Sequence, residues 1–309
     1  MKGPLFYAKI LLFGEYGIIK DSKGLAIPYN SYQGALKVSD NLSEKTKLSN
    51  KNLQKFYQYL TDLNTKTLVH FRLDELKKDI DRGMYFDSSI PQGYGVGSSG
   101  ALVAAIYDKY ADDKITVLEN LTRDKLLKLK EIFSAMESFF HGKSSGLDPL
   151  NSYLSIPILI NSKDNLEATG IPYQKEGKGA VFLLDSEQVG DTEPMVTLFM
   201  NKMKNEGFRR MLNEDFANYT DACIDDFLHG NINSLFGNVK QLSKVVLANF
   251  KPMIPKAFHN IWQQGIDTND YFLKLCGSGG GGYILGFTED YKKTQKILKN
   301  YKLELVYRF

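Results

Sequence analysis

Pro91-Gln-Gly-Tyr-Gly-Val-Gly-Ser-Ser-Gly-Ala101 is the stretch on which the reading of this chain turns. Its four glycines, Gly93, Gly95, Gly97 and Gly100, lead into a run rich in Ala, Leu, Val and Ile with no Pro or Gly between Ala101 and Tyr110. That composition predicts a helix opening near Ser98. Glycine lets backbone amides approach a ligand with no Cβ in the way, and a helix start presents unpaired N–H groups at the positive end of its dipole. The stretch therefore predicts an anion cradle. Ser98 and Ser99 can cap the helix, and one of their hydroxyls could ligate a Mg²⁺ that bridges nucleotide phosphates. The plain alternative is a flexible loop with serine caps.

Two familiar phosphate-binding patterns fail on context. Gly95-Val-Gly-Ser-Ser-Gly100 and Gly277-Ser-Gly-Gly-Gly-Gly282 both match G-x-G-x-x-G, but neither sits in the strand–turn–helix unit a dinucleotide site requires. The first follows a Pro-containing loop, and the second leads into a strand. Gly142-Lys143-Ser144 resembles the end of a P-loop, yet Glu137 stands where that loop needs glycine.

Around this stretch lies a chain of 309 residues, long enough for two domains of ordinary size. It is 43% hydrophobic and 24% charged, a globular composition. Its 39 Lys and Arg nearly balance 36 Asp and Glu, and a net charge of +3 is too small to indicate binding to nucleic acid or an anionic membrane. Cys223 and Cys276 are too few and too far apart for a disulfide framework, so a reducing cytoplasm is the expected compartment. Near the N-terminus the apolar run Ile10–Phe13 ends at Gly14-Glu15, which reads as a buried strand and not as a signal peptide or membrane span.

Strands are expected at Tyr7–Phe13, Gly34–Val38, Leu68–Leu73, Val181–Leu184, Phe272–Cys276 and Tyr283–Phe287, and helices at 52–63, 123–140 and 231–248. Lys-rich Asp40–Asn52 reads as an exposed connection. The mixture indicates an α and β protein, and polar Asn161–Gly179 suggests a division into residues 1–165 and 166–309. Between helix 123–140 and the next apolar segment lies Glu137-Ser-Phe-Phe-His-Gly-Lys-Ser-Ser-Gly-Leu-Asp148. Phosphoryl transfer needs one acid to hold a metal and another to orient the attacking hydroxyl, roles that Glu137 and Asp148 can fill. Lys9, inside an apolar strand, either snorkels to water or faces a carboxylate and stabilises a developing alkoxide.

Taken in order, Ala8-Lys-Ile-Leu-Leu-Phe-Gly-Glu-Tyr16, Pro91–Ala101 and Lys274-Leu-Cys-Gly-Ser-Gly-Gly-Gly-Gly282 resemble the three motifs of the GHMP small-molecule kinases. His141-Gly-Lys-Ser-Ser-Gly-Leu-Asp148 further resembles the HGxPSGxD segment of mevalonate kinases, with Ser144 in place of Pro. The resemblance implies an α+β, two-domain GHMP kinase fold, with a ribosomal-S5-like N-terminal domain and a ferredoxin-like C-terminal domain. It implies ATP and Mg²⁺ as cofactors and a small alcohol as acceptor. Carried over by motif position, Pro91, Gly93, Gly95, Gly97, Ser98, Ser99, Gly100 and Ala101 would bind the nucleotide, while Ser99 and Glu137 would hold the metal. Asp148 and Lys9 would be catalytic. Glu15, Tyr16, His141, Ser145, Gly279 and Gly280 would contact the acceptor, and Gly277–Gly282 would brace the nucleotide loop.

Tyr16 departs from the histidine usual in mevalonate kinases and is closer to phosphomevalonate kinases, whereas His141–Asp148 and the run Gly279–Gly282 favour mevalonate. Mevalonate is therefore the expected acceptor, phosphomevalonate or another small alcohol the alternative, and a catalytically silent metabolite-binding protein the reading of a different class. A homodimer is left open.

Overall fold

Phe6–Phe13 is buried at seven of its eight positions, so both faces of this first strand meet protein. In the computed structural model, which describes residues 3–20, 22–64, 69–116, 120–174 and 176–309, this strand (β1) is followed by β2 (Gly24–Val38), α1 (Glu44–Asn64), α2 (Leu73–Asp81) and β3 (Met84–Ser88). Next come α3 (Ser98–Tyr110), α4 (Arg123–His141), α5 (Leu147–Leu154), β4 (Ile158–Ser162), β5 (Asn165–Ala168) and β6 (Ala180–Asp185). The remainder is α6 (Thr192–Lys202), α7 (Glu206–Met211), α8 (Ala217–His229), α9 (Ile232–Asn249), α10 (His259–Thr268), β7 (Phe272–Leu275), β8 (Tyr283–Thr288), α11 (Tyr291–Ile297) and β9 (Leu303–Arg308).

The chain forms two compact units. The first holds the chain up to Lys9, Ile27–Pro91 and Gly97–Ile156; the second holds Ile10–Ala26, Gln92–Val96 and Pro157–Phe309. In the first unit, β2 pairs antiparallel with β3, Gly34 opposite Ser88 through Val38 opposite Met84. Its helical core is α3, whose residues Ala101, Val103, Ala104, Ala105 and Ile106 are all at most 1% exposed, as suits a helix that is apolar on nearly every side. Thr122 caps α4 by accepting from Lys125 N, and Gly142 at φ 68° ends it.

In the second unit the start of β2 pairs antiparallel with β4 and β4 with β5. A separate antiparallel sheet runs in the order β7-β8-β6-β9, with β6 and β8 in register from Ala180 opposite Thr288 to Asp185 opposite Tyr283. All six residues of β8 are buried. The fold is α+β, with antiparallel strand pairs and helices grouped between them.

Two sequence expectations are corrected. The stretch 40–52 is no simple connection, because α1 already begins at Glu44. Its first turns face solvent, held by the Glu44–Lys47 ion pair at 2.8 Å, and lack the apolar stripe that marks the later turns. Leu68–Leu73 is not a strand: Phe71 makes a lone bridge to Ala111 and α2 starts at Leu73, while Leu68 lies outside the described residues.

Candidate active site

Lys9 is 5% exposed in β1, where its neighbours Ala8 and Ile10 are fully buried. A buried ammonium needs a counter-charge, and Asp148 supplies it: Lys9 Nζ lies 2.8 Å from Asp148 Oδ1. Asp148 is the second residue of α5, in the first turn, where the helix dipole favours a carboxylate.

The start of α3 lies against both groups. Gly97 precedes the helix at φ 80°, and no side chain caps the first amides. A Cβ on Gly97 would come within 3.0 Å of Lys9 Cγ, and one on Gly100 within 2.7 Å of the backbone of Asp148 and Pro149. Only glycine permits this approach of α3 to the start of α5. The result is an uncapped helix N-terminus beside a lysine–carboxylate pair, all within the first unit.

Ser99, in the first turn of α3, accepts or donates in two directions: its Oγ lies 3.0 Å from Glu137 Oε1 and 3.0 Å from His141 Nε2. Glu137 is 3% exposed in α4, and its other oxygen, Oε2, accepts from the Ser144 hydroxyl. Burial, reinforced by the charge of Asp148, pushes the Glu137 carboxyl up to about 8, against the opposing pull of its two serine hydrogen bonds.

The donor set suits Mg²⁺. A carboxylate and a hydroxyl are hard oxygen ligands, and Mg²⁺ takes one or two such groups while keeping water and substrate phosphate for the rest. Among the described residues there is no cluster of three or more His, Cys, Asp or Glu that could cage a metal alone. Glu137, buried with hydroxyl partners, fits a cation brought in with a nucleotide.

His141 ends α4 and is exposed, as is Ser145, whose hydroxyl accepts from Leu147 N at 3.4 Å. Pro91, Ser98 and Ala101 flank the cradle in the first unit, Ala101 wholly buried. Gly93 and Gly95 belong to the second unit. There Gly93 O accepts from Gly190 N at 2.8 Å, and a Cβ on Gly95 would meet Cys276 O at 2.5 Å. Gly282, at φ 71°, leaves only 2.6 Å between its would-be Cβ and Tyr94 Cα. Gly93–Gly95 and the Gly277–Gly282 run thus interlock backbone to backbone within the second unit.

Gly279 and Gly280 pack on Met253 and Met195: Gly280 N donates to Met253 O at 2.7 Å. Glu15 and Tyr16 are each 5% exposed. Glu15 is paired with Lys274 at 2.5 Å, and Tyr16 donates to Ser278 O at 2.6 Å while its ring stacks on Phe199. Glu15, Tyr16 and Gly279 are buried in the second unit, and Gly280 is half-buried there. Sequence reasoning missed Ser144 and Lys274. The substitution of Ser144 for the family's Pro pointed to that position without giving it a role, and Lys274 stood only as the first residue of the third motif.

Residues 60–155 match the family described as GHMP kinases N terminal domain. Nearly the full length of the chain matches solved kinases of low identity. L. major mevalonate kinase in complex with R-mevalonate gives a TM-score of 0.59 at 18% identity, covering 97% of this chain and 93% of that one. Streptococcus pneumoniae phosphomevalonate kinase in complex with phosphomevalonate and AMPPNP gives 0.62 at 14%, covering 98% and 99%. Lactococcus lactis galactokinase complexed with galactose gives 0.63 at 12%, covering 98% and 92%. No curated protein matches. This chain shares its fold with these three solved kinases. The match to the GHMP kinases N terminal domain covers residues 60–155, and over the rest of the chain the likeness is one of fold.

Proposed function

We propose that this protein is an ATP- and Mg²⁺-dependent kinase that phosphorylates the hydroxyl of mevalonate in isoprenoid precursor synthesis. The observation that carries the catalytic part is the Lys9–Asp148 pair at 2.8 Å beside the α3 start, with Ser99 on the first turn of α3 lying 3.0 Å from Glu137 on α4. Amides of Gly97, Ser98, Ser99, Gly100 and Ala101 bind the phosphates; Gly93, Gly95 and Pro91 fix the course of the loop that carries them. Asp148 accepts a hydrogen bond from the acceptor hydroxyl and takes its proton as oxygen bonds to the γ-phosphorus and the bond to ADP breaks. Lys9 holds Asp148 in place and offsets the negative charge that develops on the attacking oxygen. Bound at Ser99 and Glu137, Mg²⁺ would neutralise charge on the phosphates. His141, whose Nε2 lies 3.0 Å from Ser99 Oγ, and exposed Ser145 are assigned to the acceptor.

Support for the acceptor is the segment His141–Asp148 and the likeness to the L. major mevalonate kinase, which binds R-mevalonate. Tyr16 and the likeness to S. pneumoniae phosphomevalonate kinase favour phosphomevalonate as the second reading. Among the described residues no helix is long and apolar enough to cross a membrane. An ADP-release assay offering mevalonate, phosphomevalonate, homoserine and galactose separately tests this. Turnover of mevalonate is expected; its absence overturns the acceptor assignment, and turnover of phosphomevalonate alone installs the alternative.

A further inference from the structure

A carboxylate that must receive a cation in a fixed direction needs its other oxygen held. Glu137 is nearly inaccessible, and its two oxygens are divided between two hydroxyls: Oε1 lies 3.0 Å from Ser99 Oγ, on α3, and Oε2 accepts from Ser144 Oγ, on the turn after α4. Ser99 faces the uncapped helix start; Ser144 does not belong to the cradle.

Ser144 is itself locked. Its Oγ accepts from Gly146 N at 3.1 Å while donating to Glu137, and its carbonyl accepts from Ser134 Oγ at 2.6 Å. Ser134 in turn has its carbonyl bonded by Ser138 Oγ at 2.7 Å. The turn is pressed onto α4 at Gly146, whose φ is 73° and whose would-be Cβ would lie 2.2 Å from Lys130 O and 2.6 Å from Ser134 N. A hydroxyl with both hydrogen-bonding directions used, on a turn docked by glycine, has one orientation available. It fixes the plane of the Glu137 carboxylate.

We propose that Ser144 is a positioning residue for the metal site: by occupying Glu137 Oε2 it directs Oε1 toward Ser99, so that these two oxygens form the protein's share of a divalent-cation site. The inference rests on the kinase reading for the cation's presence, and on this chain's own hydrogen bonds for the role of Ser144. Without the Ser144 hydroxyl the carboxylate can rotate about its last bond, and its second oxygen loses the partner that offsets burial. Removing a group that orients a metal ligand typically weakens metal binding by about 10- to 100-fold.

The test measures Mn²⁺ binding by electron paramagnetic resonance, with the full-length protein saturated with a non-hydrolysable ATP analogue. Ser144→Ala is expected to weaken Mn²⁺ binding at least about tenfold and to raise the Mg²⁺ concentration needed for half-maximal turnover. Affinity for the metal-free analogue should stay unchanged. Ser144→Thr and Ser144→Val share one shape and differ in the hydroxyl, so Thr should bind Mn²⁺ more tightly than Val even if both melt at a lower temperature than the parent. Equal Mn²⁺ affinity in the parent and Ser144→Ala, equal affinity in the Thr and Val variants, or no Mn²⁺ binding by the parent overturns the proposal. A parent that phosphorylates no acceptor yet shows the hydroxyl-dependent Mn²⁺ binding defeats the kinase reading and leaves Ser144 in its role. A competent kinase whose Ser144→Ala form has the parent's cation dependence does the reverse.

Discussion

Lys274 Nζ lies 2.5 Å from Glu15 Oε1, with the two side chains 3% and 5% exposed and 259 positions apart in sequence. The lysine also donates to Leu275 O at 2.9 Å, and the pair ties the turn after β1 to β7 within the second unit. Two charges so deeply buried are held there by each other. Removing one partner strands the other, at a cost of about 3–5 kcal/mol, whereas replacing both with apolar groups is often close to neutral. Glu15→Gln should therefore lower the urea midpoint sharply, and Glu15→Leu with Lys274→Met should recover most of the loss. Single and double variants of equal stability would show that the two charges are not coupled.

This pair also marks what was legible in the sequence. Helix α3 could be read from its unbroken apolar composition, α4 and α9 from a sustained apolar periodicity, and β1, β6 and β8 because they are short apolar runs. The start of α1 was hidden by turns that face water, and Phe71 mimicked a strand because alternation over a few residues also arises where a loop buries single side chains. At the site, Lys9, Ser99, Glu137 and Asp148 stood out as types suited to phosphoryl transfer, but their pairing is tertiary and became an expectation only through the family resemblance. Glu15 was read as an acceptor contact; no local pattern shows that its partner lies on β7. Ser144 escaped notice because its orientation depends on Gly146 docking the turn onto α4.

Asp148→Asn should keep the α5 start and its packing on Gly100 but lose the charge that holds Lys9 and accepts a proton. Loss of a positioned acid–base group typically costs about 10²- to 10⁴-fold in rate. The fall is expected in kcat, with nucleotide affinity by calorimetry little altered. A variant retaining the parent's kcat would remove Asp148 from the reaction.

Gly100 and Gly237 make opposite predictions for the same change. A Cβ on Gly100 would meet the backbone of Asp148 and Pro149 at 2.7 Å, so Gly100→Ala must displace the α5 start and with it the Lys9–Asp148 contact. Both stability and kcat should drop. Gly237 lies inside α9 with nothing within 4 Å of its would-be Cβ, so Gly237→Ala should stabilise by about 0.5–1 kcal/mol through the reduced freedom of the unfolded chain. Thermal melts of the two variants side by side check this; a destabilised Gly237→Ala would contradict the open space around that position.

In the metal-free protein, burial holds the Glu137 carboxyl well above its ordinary value of 4.5, to about 8. Below about pH 4.5 the group carries its proton in both folded and unfolded chains and has no effect on the balance. As pH rises toward 8 the unfolded chain releases that proton while the folded one keeps it, so this group's contribution to stability falls through that window and levels off above it. Glu137→Gln keeps a similar shape and cannot ionise. The difference in unfolding free energy between parent and variant, measured by urea titration in chelator at pH 5, 6.5 and 8, should therefore shift in favour of the variant as pH rises. A difference that stays constant across these pH values would mean that Glu137 titrates normally, and that its serine partners and Lys9 together offset the cost of its burial.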